Sequence, residues 1–184
     1  LGSVAERNFR PHVNCVNITP DQKYLCAVDL GVDQVKIYKF NYETGKITLM
    51  DMLRCEQESA PRIIKFSPDG RFAYLICELK NYISVYSYKD GPRGPIFELV
   101  QTISTLNDYH SKGSAACVLR FSRDWNYVLC SNAGDNSIGI FKVDHETGML
   151  EKICILPISG DYPKAADFFP DNRHIMALNH ESNT

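Results

Sequence analysis

The sequence predicts an all-β fold: a β-propeller arc of about four consecutive four-stranded blades, an incomplete ring. Three observations predict it. A turn motif recurs four times, as Val16-Asn-Ile-Thr-Pro-Asp21, Ile64-Lys-Phe-Ser-Pro-Asp69, Leu119-Arg-Phe-Ser-Arg-Asp124 and Ala166-Asp-Phe-Phe-Pro-Asp171, with aspartates 48, 55 and 47 residues apart. In the first three repeats an alternating stretch closes on an aromatic 17 residues after the aspartate, at Tyr38, Tyr86 and Phe141. A Glu-Thr-Gly turn at Glu43 recurs at Glu146. Helical periodicity is essentially absent. Landmarks in fixed order at this period mark propeller blades. They disfavour a β-sandwich with accidental similarity, and the strand pattern excludes a helical or leucine-rich solenoid.

Each repeat reads as four strands. An apolar strand runs into the Pro-Asp turn, where Pro presets φ and Asp bonds the backbone ahead. A second strand follows over 24–28, 72–76, 127–131 and 174–178, rich in β-branched and aromatic residues. The third carries the closing aromatic. The Glu-Thr-Gly turn opens a fourth, over 46–52 and 149–156. The repeats then divide as 12–58, 59–112, 113–158 and a short 159–184. Propellers have four to eight blades, so an open arc exposes an apolar face at each end. The expectation is a piece of a larger propeller, or self-association in which two copies complete each other.

Composition excludes several classes. With 184 residues, 44% hydrophobic, 23% charged and a net charge of −2, nothing suggests a nucleic-acid footprint. No apolar run approaches the roughly 20 residues that cross a bilayer, and no signal-peptide pattern opens the chain. It begins at Leu1 rather than Met, which reads as a processing or cloning boundary. The seven cysteines are odd in number, lack a Cys-x-x-Cys pair and sit in apolar runs such as Tyr24-Leu-Cys-Ala-Val28. They read as buried thiols in a reducing, cytoplasmic setting. Cys and His are not spaced as zinc ligands, so neither a metal nor another cofactor is expected.

In a propeller, equivalent positions of successive blades converge on one axis, so repeat columns are where chemistry gathers. Six residues before the turn Pro stand Asn14, Arg62, Cys117 and Lys164. Two cations aimed at one funnel suit a phosphate or carboxylate, although either could be a solvated loop charge. After the second strand come Asp29, Cys77, Asn132 and Asn179, which suit turn formation. The next column holds Leu30, Glu78, Ala133 and His180. Glu78 interrupts an apolar stretch and needs a partner: an ion pair with Arg62, or a general base. His12 precedes the first inner strand, where a lone His is ordinarily a surface or capping residue. No nucleophile elbow, phosphate loop or paired-His metal motif appears.

These stretches resemble a known family. Pro11-His-Val-Asn14 leading to Ala27-Val-Asp-Leu-Gly31, Ala60-Pro-Arg-Ile63 with Cys77-Glu-Leu79, Ser131-Asn-Ala-Gly134, and Asp161-Tyr-Pro-Lys164 are similar, in order along nearly the whole chain, to motifs of the seven-bladed propeller lactonases typified by 6-phosphogluconolactonase. The resemblance implies a seven-blade ring and hydrolysis of a sugar-phosphate lactone without a cofactor. By position, His12, Asp29, Arg62, Glu78 and Asn132 match the family pattern. The expectation that goes with the resemblance is that His12, Glu78 and Arg62 are catalytic and that Lys164, Arg62, Asn132, Asp29 and Asn14 bind substrate. The sequence departs from the family pattern at Asn14, Ile63, Cys77, Ala133 and Lys164. Two further readings therefore stand beside the first: a non-catalytic propeller that binds a ligand or partner, and a family enzyme acting on an unphosphorylated acidic lactone.

Overall fold

A computed structural model of the chain describes residues 10–107 and 113–184. His110, to which no role is assigned, lies outside the described residues. Among the described residues, fifteen strands form four antiparallel sheets. Blade 1 holds β1 (Val13–Ile18), β2 (Tyr24–Asp29), β3 (Gln34–Phe40) and β4 (Ile47–Arg54). Blade 2 holds β5 (Pro61–Phe66), β6 (Phe72–Cys77), β7 (Tyr82–Gly91) and β8 (Gly94–Ser104). Blade 3 holds β9 (Ala115–Ala116), β10 (Arg120–Phe121), β11 (Tyr127–Ala133), β12 (Ser137–Val143) and β13 (Leu150–Pro157). Blade 4 is the pair β14 (Pro163–Phe168) and β15 (Ile175–Asn179). Each full sheet is ordered as the chain runs, from the innermost strand outward, the up-and-down order of a propeller blade.

The repeated turn folds the same way in three blades. The hydroxyls of Thr19, Ser67 and Ser122 each donate to the aspartate two residues on, at 2.6 Å. Each hydroxyl also accepts the backbone N–H that opens the second strand, at Tyr24, Phe72 and Tyr127. Blade 4 has Phe169 in place of the hydroxyl residue, and the His174 ring bonds Asp171 at 2.6 Å instead. Blade 2 lacks the Glu-Thr-Gly turn and links β7 to β8 by a longer hairpin, with pairing continued out to Gly91 and Gly94.

Three apolar layers glue the blades face to face. Val28, Val35 and Ile37 meet Ile64, Leu75 and Tyr86 between blades 1 and 2. Tyr74, Ile76 and Val85 meet Leu119, Val128 and Phe141 between blades 2 and 3. Leu129, Ile138 and Ala166 join blades 3 and 4 in a smaller layer. All seven cysteines are free thiols, and burial pushes those of Cys26 and Cys130 up to about 12, so they behave as small inert hydrophobes. The arc is open: Val16 and Ile18 on blade 1, and Met176 and Leu178 on blade 4, lie exposed where a closed ring would continue. No helix among the described residues is long and apolar enough to cross a membrane.

Candidate functional site

The inner strands share a defect at their mouth ends. In β1, β5 and β14 the pairing register shifts at one place, between Val13 and Cys15, Pro61 and Ile63, and Pro163 and Ala165. Asn14, Arg62 and Lys164 are therefore the extra residues of three equivalent β-bulges. A bulge bends the strand and re-aims a side chain. The same column in blade 3 is Cys117, in the gap that splits the inner strand into β9 and β10.

Successive blades are tied through these residues. The Asn14 amide donates to the Arg62 carbonyl at 3.0 Å, and Arg62 Nε donates to the Cys117 carbonyl at 2.9 Å. Arg62 Nη1 is also paired with Glu78 Oε2. Glu78 is 2% exposed, and its backbone is fixed on both sides, by the Ala60 carbonyl at 2.8 Å and the Ala116 N–H at 3.0 Å. Stripping one partner from such a pair would strand a buried charge. The Arg62 side chain keeps 24% of its surface exposed. Lys164 is exposed, forms no ion pair among the described residues, and lies with Nζ 5.1 Å over the Tyr162 ring. The His180 ring approaches the same tyrosine at 6.5 Å.

Asp29 and His12 are joined through the backbone. The buried Asp29 carboxylate accepts the His12 N–H at 2.7 Å, the Gly31 N–H at 3.2 Å and Lys36 Nζ at 3.3 Å. The His12 carbonyl accepts the Leu30 N–H at 3.0 Å, leaving the imidazole on the exposed side. Gly31 is required here, since a Cβ would fall 1.8 Å from the Arg10 carbonyl oxygen. Asn132 is fully buried between blades 2 and 3. Its amide nitrogen donates to the Thr105 carbonyl at 2.8 Å and the Ser137 hydroxyl at 3.1 Å, while its oxygen has no partner among the described residues. Asn14, Arg62 and Glu78 thus form one bonded cluster. Asp29 positions the His12 segment, and neither Lys164 nor Asn132 bonds to the cluster.

Two positions where the sequence departs from the family motifs have become packing. Ile63 pairs with Ile76 and packs on the layer between blades 2 and 3. Ala133 is fully buried and pairs with Ala115.

One column went unread in the sequence. Asp33, Asn81, Asn136 and Asn183 each lie 12 residues after their turn aspartate and share a positive φ of 52–55°. Asp33 accepts the Glu58 and Ala60 N–H groups at 2.8 Å each, and Asn136 accepts the Tyr162 N–H at 2.8 Å. The Asn81 amide donates to the Ser114 carbonyl at 2.9 Å. Each of these three clasps the loop that leads into the next blade's inner strand and so sets where Arg62 and Lys164 emerge. The available signal was the fixed offset of Asp or Asn, residues that tolerate this conformation.

The chain belongs to the family of seven-bladed β-propeller lactonases, whose model matches residues 2–184. It is 30% identical over 177 residues to an uncharacterized protein of Staphylococcus saprophyticus, aligning 96% of this chain with 50% of that one. It is 29% identical over 177 residues to the 6-phosphogluconolactonase of Bacillus subtilis, again 96% against 50%. Among solved structures, a periplasmic gluconolactonase of Pseudomonas aeruginosa superposes with a TM-score of 0.85 at 30% identity, over 94% of this chain and 48% of that one. A putative 6-phosphogluconolactonase of Bacteroides fragilis superposes at 0.83 and 29%, over 97% and 50%. The chain spans about half the length of the curated relatives it matches.

Proposed function

We propose that this chain contributes the mouth of a lactone hydrolase acting on a sugar lactone. The observation that carries the proposal is the bulge column. It sets a guanidinium tied to a buried carboxylate, Arg62 with Glu78, in the same ring of positions as Lys164, an ammonium that forms no ion pair among the described residues. Ring opening needs water delivered to the carbonyl carbon and a cation for the developing oxyanion. The exposed imidazole of His12 takes a proton from water as its oxygen bonds to that carbon. Arg62 and Lys164 meet the negative charge, Arg62 as an edge-on donor held by Glu78 and Lys164 as a point charge. Collapse of the tetrahedral species breaks the ring C–O bond, and the imidazolium returns the proton to the departing alkoxide. The product is a hydroxy acid. In this reading the buried Glu78 positions Arg62 rather than touching water, and the buried Asp29 positions His12. Asn14 and Asn132 support the mouth through the next blade's carbonyl and the Thr105 loop.

A second reading, a propeller that binds an acidic ligand without turning it over, is favoured by one feature. Both Arg62 nitrogens that bond are committed within the protein. A pH-stat assay of 6-phosphoglucono-δ-lactone hydrolysis, corrected for spontaneous opening, separates the two. Turnover above background, reduced at least ~10-fold in Arg62→Ala, is the expected result. A background rate from folded protein would leave the binding reading. Unphosphorylated glucono-δ-lactone, run alongside, tells whether the phosphate matters.

A further inference from the structure

The inner strands carry a second column near their other ends. Asn17, Lys65, Arg120 and Asp167, three residues before each turn's Pro position, border a cleft of about 780 Å³ at the Pro-Asp side of the axis, which Arg123 also lines. Arg120 Nε lies 3.4 Å from Asp167 Oδ2. Asn17 spends its amide on the Ile64 carbonyl at 3.1 Å. Lys65 and Arg123 form no ion pair among the described residues, and the Arg123 backbone is pinned by the Asn172 side chain at 3.0 Å. Three cations against one carboxylate give this cleft a formal charge of +2, in a chain whose net charge is −2.

The cleft wall is aromatic, and part of it is strained. Trp125, the chain's one tryptophan, stacks on Phe121 with centroids 4.2 Å apart and planes 28° apart. It sits at φ 59°, where the equivalent turn positions hold Gln22, Gly70 and Asn172. A bulky residue is an outlier in that region. Such strain persists where surroundings enforce it and clusters at ligand sites. The turn itself does not ask for an indole, since blades 1, 2 and 4 close theirs with Gln22, Gly70 and Asn172 at that position.

We propose that this cleft binds a phosphate monoester carried on a sugar-like ring. The two charges of the phosphate match the excess of two cations, with Lys65, Arg120 and Arg123 as donors. The ring packs on the Phe121–Trp125 wall. The site is about 10–20 Å along the inner strands from the Arg62 mouth, and it stands whether or not that mouth opens lactones.

Trp125 supplies the readout, because emission from the chain's single indole reports on the cleft. Titration with glucose 6-phosphate is expected to give a saturable emission change, matched by isothermal titration. The affinity should exceed that for inorganic phosphate by at least ~10-fold, with no response to glucose. Lys65→Ala and Arg123→Ala should each weaken glucose 6-phosphate binding by at least ~10-fold with an unchanged circular dichroism spectrum. Arg123 is exposed, so its variant folds even if the other does not. No saturation by either method up to ~10 mM, or binding indifferent to Arg123→Ala, overturns the site. Equal affinity for inorganic phosphate overturns the ring.

Discussion

Strand β6 of blade 2 and strand β15 of blade 4 fill the same place in the repeat, seven residues after Asp69 or Asp171 falling on Ile76 or Leu178. Every residue of β6 is buried, whereas β15 alternates between partly buried and exposed. Ile76 is fully buried and Leu178 is 56% exposed. Local sequence does not separate them, since both strands are apolar and each follows a Pro-Asp turn. Neighbours do: blade 2 is covered on both faces by blades 1 and 3, and blade 4 on one face by blade 3. A blade's stability therefore resides mainly in its two interfaces rather than in its own sheet.

That difference has a direct test, and it carries the largest expected effect. Ile76→Ala should lower the stability of the arc by about 2–5 kcal/mol, through lost transfer energy and a cavity in the layer between blades 2 and 3. Leu178→Ala should change it by less than ~0.5 kcal/mol. Urea midpoints of the two variants against the parent chain make the measurement. Equal losses would break the comparison, because they would mean that the exposed face of blade 4 is covered in solution.

The same contrast explains how much of the molecule could be read from the sequence. The Pro-Asp turns, the second strands and the closing aromatics were legible because each is a local contact repeated in fixed register. The split of the blade 3 inner strand around Cys117 was not, since no turn residue announces it. The bulges at Asn14, Arg62 and Lys164 were visible only as a column of unlike residues, because a bulge is a property of the pairing and not of one strand. The Arg62–Glu78 pair was anticipated from a charge stranded in an apolar run. The Asp33 clasp was overlooked because its partners, Glu58 and Ala60, belong to the next blade's loop.

The clasps allow a second test across the interfaces. Asp33→Gly keeps the positive φ without strain but removes the acceptor from two N–H groups, of which that of the buried Ala60 has least access to water. A loss of about 1–3 kcal/mol is expected. Asn136→Gly removes one acceptor, that of the Tyr162 N–H, and should cost about 1 kcal/mol. Amide exchange at Ala60 and Tyr162 would show whether each loss is confined to its own interface. Exchange accelerating at both sites in either variant would show that the interfaces open together.

The smallest effect sharpens the comparison at the turns, where blades 2 and 4 reach one result by different means. At Asp69 burial works against ionisation, yet the Ser67 hydroxyl and the Arg71 backbone and guanidinium hold the carboxyl down at about 2. At Asp171 the Arg173 N–H and the His174 ring do the same, also to about 2. Both lie below the ordinary 3.8, so each turn contributes stability that is fully present above about pH 4. That contribution fades as pH falls toward 2, when the folded carboxylates at last take up protons. Ser67→Ala should raise the Asp69 midpoint toward 3.8 and leave Asp171 unmoved, and His174→Ala should do the reverse. Carboxyl NMR titrations of the two variants read both shifts. A midpoint for Asp171 that stays near 2 without the imidazole would assign that turn to its backbone donors alone. Blade 4 would then hold its turn by the backbone where blade 2 recruits side chains.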